Sequence, residues 1–216
     1  SDGKDVEYLL PELREEREAR EKVEEEEARR LTAERKKTGF VDWDAVERVV
    51  GKDKADQMKQ GEGFTGELDL RSKSITAEGC RTIAPALRTM PNLKSLSLHD
   101  NNIGDEGLRT IAPALRTMTN LEWLDLRNNN IGDDSIAVLC SRVLPEVSLK
   151  WLGLSDNKIG NVGCQCLLEL IENDSLQSLR YLHLRWNPNI SSEELQTKFK
   201  RVWREKGKKT YFLKFN

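Results

Sequence analysis

Apolar residues recur between positions 68 and 190 with a period of 28 residues. Five Leu-x-Leu cores begin 28, 28, 28 and 30 residues apart, at Leu68, Leu96, Leu124, Leu152 and Leu182. The alternation within each core predicts a short strand whose leucines point inward. Behind each core, apolar residues follow at intervals of three and four, which is typical of one helix face. Each unit is therefore predicted to be a strand, a turn and a helix.

An asparagine follows four of the five cores, at Asn101, Asn129, Asn157 and Asn187, and Lys73 takes its place in the first unit. At the end of a strand, buried backbone groups lose their ladder partners, and a side-chain amide can satisfy them. We therefore interpret these asparagines as structural rather than as binding residues.

The repeats resemble a known family in two stretches, LEWLDLRNNNIGD at residues 121–133 and IAPAL at residues 111–115. Both are similar to leucine-rich repeats of the ribonuclease-inhibitor type, which also occur in Ran GTPase-activating protein and tropomodulin. The resemblance implies an α/β leucine-rich-repeat solenoid of five repeats, with a parallel sheet inside and helices outside. It also implies that the protein binds other macromolecules, although one fold hosts many functions.

The pattern divides the chain into four parts: a charged helical arm at 1–38, an N-terminal helical cap and hinge at 39–63, the repeats at 64–190, and a C-terminal cap helix with an edge strand at 191–216. In the arm, opposite charges fall four residues apart, for example at Arg14 and Glu18, which favours a helix. Two interpretations stay open for it, a spacer or docking strut and a solvated extension.

The N-terminal cap is predicted around one short helix that Asp42 begins and Gly51 ends, with Val41 and Val46 placed as a hydrophobic staple. Its apolar residues should cover the open end of the first repeat. At the other end, Ser191 and Glu194 have the spacing of a capping box, and Gly207 ends the predicted helix. The alternating residues Tyr211, Leu213 and Phe215 then predict an edge strand.

This C-terminal segment is basic in a chain with a formal net charge of −2. It carries Lys198, Lys200, Arg201, Arg204, Lys206, Lys208, Lys209 and Lys214 against Glu205. The basic tail could contact an acidic protein or the phosphates of a nucleic acid. The other interpretation is a solvated outer face of the cap helix.

Composition limits the classes of protein to which this chain can belong. The chain has 33% charged residues, a mean hydropathy of −0.66, and no apolar run of the roughly 18 to 20 residues that a membrane helix needs. Cys80, Cys140 and Cys164 fall on inward helix positions, and Cys164-Gln-Cys166 lacks metal-site spacing. We expect no metal or cofactor, and an intracellular, reducing compartment. The cytoplasm is favoured, or an organelle if a targeting segment was removed before Ser1.

Side chains beside the inward leucines should form the concave face of the sheet. Large apolar side chains next to arginines are favoured at the centre of protein interfaces. We therefore predict a partner-binding surface made of Trp123, Trp151, Tyr181, Asp125, Arg127, His183, Arg185 and Trp186. Gly153 is expected to open a small depression for a partner side chain. The alternative is that the aromatic residues merely cover the sheet.

Catalysis is disfavoured because His99 and His183 fall in different outward columns and no phosphate-binding glycine loop is present. The sequence predicts a noncatalytic adaptor or scaffold that binds one helix, loop or small domain on the concave face. One alternative is a structural subunit of an axonemal, mitochondrial or ribonucleoprotein assembly, held by the arm and the basic tail. A weaker alternative is a GTPase activator or a filament-capping protein.

Overall fold

The repeats form one parallel sheet flanked by helices in a computed structural model that describes residues 41–208 and 213–215. The predicted arm lies outside these residues. The strands are β1 Glu67–Asp69, β2 Ser95–Ser97, β3 Trp123–Asp125, β4 Trp151–Gly153, β5 Tyr181–His183 and β6 Leu213–Lys214. They are hydrogen-bonded in chain order, and every pairing is parallel. The predicted α/β solenoid of strand-turn-helix repeats is confirmed.

The helices are α1 Trp43–Val50, α2 Lys52–Met58, α3 Ala77–Leu87, α4 Gly104–Leu115, α5 Asp133–Val138, α6 Asn161–Glu172 and α7 Glu193–Glu205. A π-helical stretch, Leu139–Val143, and a 3-10 turn, Leu144–Glu146, extend α5. The central leucines of the strands pair in register, and their side chains are fully buried between the sheet and the helices. This row of leucines fixes which residues face outward, because a one-residue slip would expose all of them.

The predicted asparagine row lies where the strands end, and Asn157 shows its role. Its side-chain oxygen accepts hydrogen bonds from the backbone N–H groups of Asn129 and Ile131, each at 3.0 Å. Its side-chain nitrogen donates to the carbonyl oxygens of Leu126 at 3.0 Å and Leu154 at 3.1 Å. Equivalent bonds are made by Asn101, Asn129 and Asn187. The structural interpretation of these residues is confirmed.

A second row of hydrogen bonds, not foreseen from the sequence, links the beginnings of successive helices. The Asp105 carboxylate accepts from the backbone N–H of Gly132 at 2.7 Å, and Asp133 accepts from Gly160 at 2.6 Å. Asn161 continues the row toward α7. A Cβ atom at Gly160 would lie 2.7 Å from the Asp133 carboxylate, so a residue without a side chain permits this close approach.

The N-terminal end of the solenoid is covered by α1 and α2. Asp42 begins α1 as predicted, since its carboxylate accepts from the backbone N–H of Ala45 at 2.9 Å. Gly51 ends α1 with a φ of 87° and leads directly into α2, a helix that the sequence pattern did not predict. Val46 and Val50 are fully buried, and α1 packs against α3 of the first repeat.

The predicted capping box at the start of α7 is wrong by one residue. Ser192, not Ser191, is the N-cap, and its hydroxyl accepts from the backbone N–H of Leu195 at 3.2 Å. The N–H groups of both serines donate to the Asn161 side-chain oxygen at 3.1 Å. That oxygen belongs to the preceding repeat, so the position of Ser192 depends on a contact that is distant in sequence.

The C-terminal end of the described solenoid is closed by α7 and β6. Tyr211, which the sequence analysis places in the edge strand, lies outside the described residues. Phe199 and Trp203 of α7 are fully buried, and the ring of Phe215 contacts that of Phe199 with centroids 5.6 Å apart. Leu213 pairs with Leu182 of β5 and extends the inward leucine row into a sixth strand. The exposed edge of β5 is thereby covered.

Candidate functional site

Outward residues of β1 to β5 form the concave face, in columns that run across the strands. The first column contains Glu67, Ser95, Trp123, Trp151 and Tyr181, which are neighbours in the parallel register. The second contains Asp69, Ser97, Asp125, Gly153 and His183. The sheet therefore brings Trp123, Trp151, Asp125 and His183 together, as the alternation predicted.

The Trp151 indole packs against Gly153 on this face, and the predicted depression at Gly153 is wrong. A Cβ atom at Gly153 would lie 2.3 Å from the Trp151 indole, so this protein's own ring occupies the space that the glycine leaves. The ring stacks on Trp123 with centroids 4.0 Å apart and an angle of 2° between the planes. His183 packs against it at 5.2 Å in an edge arrangement. Trp151 is only 5% exposed and is part of the floor of the surface.

Arg127 packs against the Trp151 ring. Its guanidinium lies 5.3 Å from the centre of the Trp151 ring and donates to the Asp125 carboxylate at 2.9 and 2.7 Å. The hydrogen bond to Asp125 is the main reason that the pKa of Arg127 is raised, although partial burial opposes it. Asp125 is only 4% exposed. Because both charges are committed to each other, this pair mainly fixes the shape of the face.

Trp123 is the aromatic residue of the central strands that remains accessible, with 42% of its surface exposed. One face of its indole is covered by Trp151 of β4. The strand on the other side of Trp123 is β2, where Ser95 is its partner in the register. The stacking fixes its orientation. Trp123 is therefore a large apolar contact that needs little ordering when a partner binds.

Tyr181 and His183 of β5 are half-buried and close the other side of the face. Arg185 and Trp186 lie just beyond β5, where the guanidinium is 5.3 Å from the indole centre. Trp186 is 57% exposed and has a φ of 55°. The equivalent positions of the other repeats also have a positive φ and carry Ser72, Asp100, Asn128 and Asp156. A bulky residue rarely adopts this conformation, whereas Asn and Asp adopt it readily.

Three residues that the sequence analysis did not single out border the open face of Trp123. Ser95 and Ser97 form a low floor on β2, and Glu67 of β1 stands on its far side. A sequence signal was present, because the aromatic column of positions 123, 151 and 181 stops at a serine. The gap in the column marks the accessible part of the face.

Comparison with known families identifies the repeats. A family model described as Leucine Rich repeat matches residues 89–112, 117–140, 148–168 and 175–193. The protein is a leucine-rich-repeat protein. A search of the curated proteins finds no match to the chain. Leucine-rich repeats are typical of modules that bind protein partners, and they are rarely catalytic.

The basic tail of this leucine-rich-repeat protein is partly neutralised by carboxylates at the end of α6 and in the loop that follows it. Lys198 pairs with Glu172 at 2.9 Å, and Lys206 pairs with Asp174 at 2.7 Å. The Lys208 ammonium donates to backbone carbonyl oxygens of the loop, including that of Leu176 at 3.0 Å. Desolvation by burial lowers the pKa of Lys208. These three lysines hold the C-terminal cap in place, whereas Arg204 is exposed.

The cysteines behave as core thiols in the repeats. Cys80, Cys140 and Cys164 are buried, and burial raises the pKa of Cys80 and of Cys164 to about 12. Across residues 41–208 and 213–215, no group of three or more His, Cys, Asp or Glu side chains is placed to hold a metal ion. Within the same residues, no helix is long and apolar enough to cross a membrane.

Proposed function

We propose that this protein is a noncatalytic adaptor or scaffold that binds a protein partner on its concave face, with Trp123 as the central contact. The observation that carries the proposal is the exposed indole of Trp123, held flat against the buried indole of Trp151 at 4.0 Å. Folding alone would favour a polar residue at an accessible position, as Ser95 is in the neighbouring repeat. A rigid, exposed tryptophan on a face that also carries arginines is typical of an interface anchor.

Trp186 supports the same surface from its edge. It combines an accessible indole with a left-handed backbone conformation that is unfavourable for a bulky side chain. Unfavourable conformations of this kind cluster at binding and active sites. With Arg185 it extends the proposed surface beyond β5, so the partner would contact the second half of the sheet more than the first.

The width of the sheet favours a small partner segment or domain. Strands in a sheet lie about 4.8 Å apart, so β1 to β5 span about 20 Å. One helix, one loop or a small domain would fit on this face. The repeat length of 28 residues with a complete helix also supports the ribonuclease-inhibitor type of leucine-rich repeat.

The test compares proteins captured from a cell lysate by three forms of the full chain: the natural sequence, Trp123→Ala and Val162→Ala. Val162 is the matched control because it is 64% exposed but lies on α6, outside the sheet. We expect Trp123→Ala to lose specific proteins that Val162→Ala retains, as read by mass spectrometry. With a purified partner, Trp123→Ala should weaken binding by about 30-fold, which corresponds to about 2 kcal/mol at an interface anchor.

Equal capture by all three forms would contradict a concave binding face centred on Trp123. A folded state like that of the natural protein must be verified by circular dichroism for each variant. Because Trp123 is accessible and Trp151 supports the floor, we expect Trp123→Ala to meet this condition.

A further inference from the structure

The aromatic stack on the concave face stops one strand short of a carboxylate. Trp151 and Trp123 stack in parallel at 4.0 Å, but the next residue in the same column is Ser95. Beyond Ser95, the column ends at Glu67 of β1. With strands about 4.8 Å apart, the Cα atoms of Trp123 and Glu67 are separated by about 10 Å, and only a small side chain stands between them.

This gap is a slot with three distinct sides, which we call the β2 slot. Because the two indoles stack across neighbouring strands, we infer that the second face of Trp123 is directed toward β2 and forms the near wall. Ser95 and Ser97 then form the floor, and Glu67 forms the far wall. Trp123 and Glu67 are exposed and both serines are half-buried. A flat group stacked on Trp123 at the distance that separates the two indoles would lie directly above β2 and next to the Glu67 carboxylate.

Glu67 differs from the other carboxylates around this slot because they already have partners. Asp69 pairs with Arg71 at 2.8 Å, and Asp125 pairs with Arg127 at 2.7 Å. In contrast, the Glu67 carboxylate makes no hydrogen bond or ion pair with any residue in the described ranges 41–208 and 213–215. Burial tends to raise the pKa of Asp69, but the hydrogen bonds from Arg71 outweigh it and lower that pKa. An incoming cation would therefore pair with Glu67.

We propose that the β2 slot binds an arginine side chain of the protein partner. The guanidinium group is flat, is weakly hydrated for a cation, and stacks on indole faces, where its charge is attracted by the ring. Stacked on Trp123, it would reach the Glu67 carboxylate with one edge and the serine hydroxyls with another. The inference rests on the proposed function and specifies the chemistry that the partner must offer.

The protein already combines an arginine, an indole and a carboxylate at a neighbouring position of the same face. Arg127 lies 5.3 Å from the Trp151 ring centre while it binds the Asp125 carboxylate through two nitrogens. An arginine, an indole and a carboxylate are thus combined on this face inside the chain. In the β2 slot the indole and the carboxylate are present, and the partner would supply the arginine.

The positive groups near the slot leave room for this cation. Arg71 is held by Asp69. Lys94 directly precedes Ser95 and is exposed. His99 is half-buried and lies farther along the chain, beyond Ser97. Arg71 and Arg127 are each paired with a carboxylate of their own strand, so neither guanidinium is available to Glu67.

The experiment uses N-acetyl-arginine amide as the probe, and N-acetyl-citrulline amide as an uncharged probe of nearly the same shape. The ¹⁵N-labelled full chain is titrated while the indole N–H signal of Trp123, assigned with Trp123→Phe, is followed by NMR. We expect a saturable shift at millimolar arginine and binding of citrulline at least about ten-fold weaker, because the charge supplies the attraction.

Two variants test the walls of the slot. Glu67→Gln should weaken arginine binding about ten-fold, whereas Asp156→Asn, an exposed carboxylate two strands away, should leave it unchanged. Ser95→Trp should abolish binding by filling the slot, and its fold is checked by circular dichroism. Equal binding of arginine and citrulline, no shift of the Trp123 signal, or full affinity in Glu67→Gln would each overturn the inference.

These outcomes separate the inference from the proposed function. If arginine fails to bind while Trp123→Ala still loses captured proteins, the concave face remains a binding surface and the β2 slot is not an arginine site. If arginine binds as expected while Trp123→Ala retains every captured protein, the slot stands and the adaptor proposal fails.

Discussion

Two tryptophans in one column of the concave face have different physical roles. Trp151 is buried because Gly153, two residues along the same strand, leaves space for the benzene end of its indole. Trp123 has Asp125 at the equivalent position, and its ring remains accessible. The first tryptophan therefore contributes to stability, and the second is available for binding.

Trp151→Ala should lower the free energy of unfolding by about 3 kcal/mol, since removing a buried aromatic side chain leaves a cavity. Trp123→Ala should lower it by about 1 kcal/mol, mainly through the lost stacking. Urea denaturation followed by circular dichroism measures both changes. Equal losses in the two variants would contradict the separation of roles.

The outward direction of both tryptophans could be predicted from the alternation of residues within the strand. Their different burial could not, because it depends on the side-chain conformation of Trp151 and on the space above Gly153. The space left by a glycine can be filled by a ring of the same protein as well as by a side chain of a partner. The prediction of a depression failed for that reason.

At the scale of helices and strands, hydrogen bonds between repeats decide where elements begin. The Asn157 amide joins the ends of neighbouring strands, and the Asp105 and Asp133 carboxylates join the beginnings of neighbouring helices. The asparagine row could be predicted, because its residues follow each Leu-x-Leu core directly. The second row was missed, because a carboxylate in the first turn of a helix is also explained by the helix dipole.

The corrected cap of α7 gives a prediction at this scale. Ser192→Ala should lower the free energy of unfolding by about 1 kcal/mol, because the backbone N–H of Leu195 loses its acceptor. Ser191→Ala is the matched control, and it should lower the free energy of unfolding by less than half of the loss in Ser192→Ala. Chemical denaturation of both variants is the measurement, and a larger loss in Ser191→Ala would restore the capping box expected from the sequence.

At the scale of the molecule, both ends of the described solenoid are covered. The apolar residues of α1 and α2 lie against the first repeat, and α7 and β6 lie against the last. The overall period and the strand order of the repeats could be predicted because one pattern recurs from position 68 to position 190. The second helix of the N-terminal cap could not, because the polar sequence of α2 gives little apolar periodicity.

Ending the chain at Lys208 removes β6 and exposes the backbone groups of β5. Because an uncovered parallel edge can pair with another chain, we expect concentration-dependent self-association of the shortened protein. Sedimentation velocity at several concentrations measures it, with the 216-residue chain as the reference. A shortened chain that sediments identically to the full chain would show that β6 is dispensable for covering this edge.

The interval between the last two cores is two residues longer than the others, and the extra length falls between Ile171, near the end of α6, and β5. The loop between α6 and β5 supplies the carbonyl of Leu176 and the carboxylate of Asp174 that hold Lys208 and Lys206. Duplication of a 28-residue unit upstream of this loop would leave every one of these contacts unchanged. Duplication across it would interrupt them. A further 28-residue repeat inserted before this loop would therefore keep the contacts of the C-terminal cap, whereas a repeat inserted across the loop would break them.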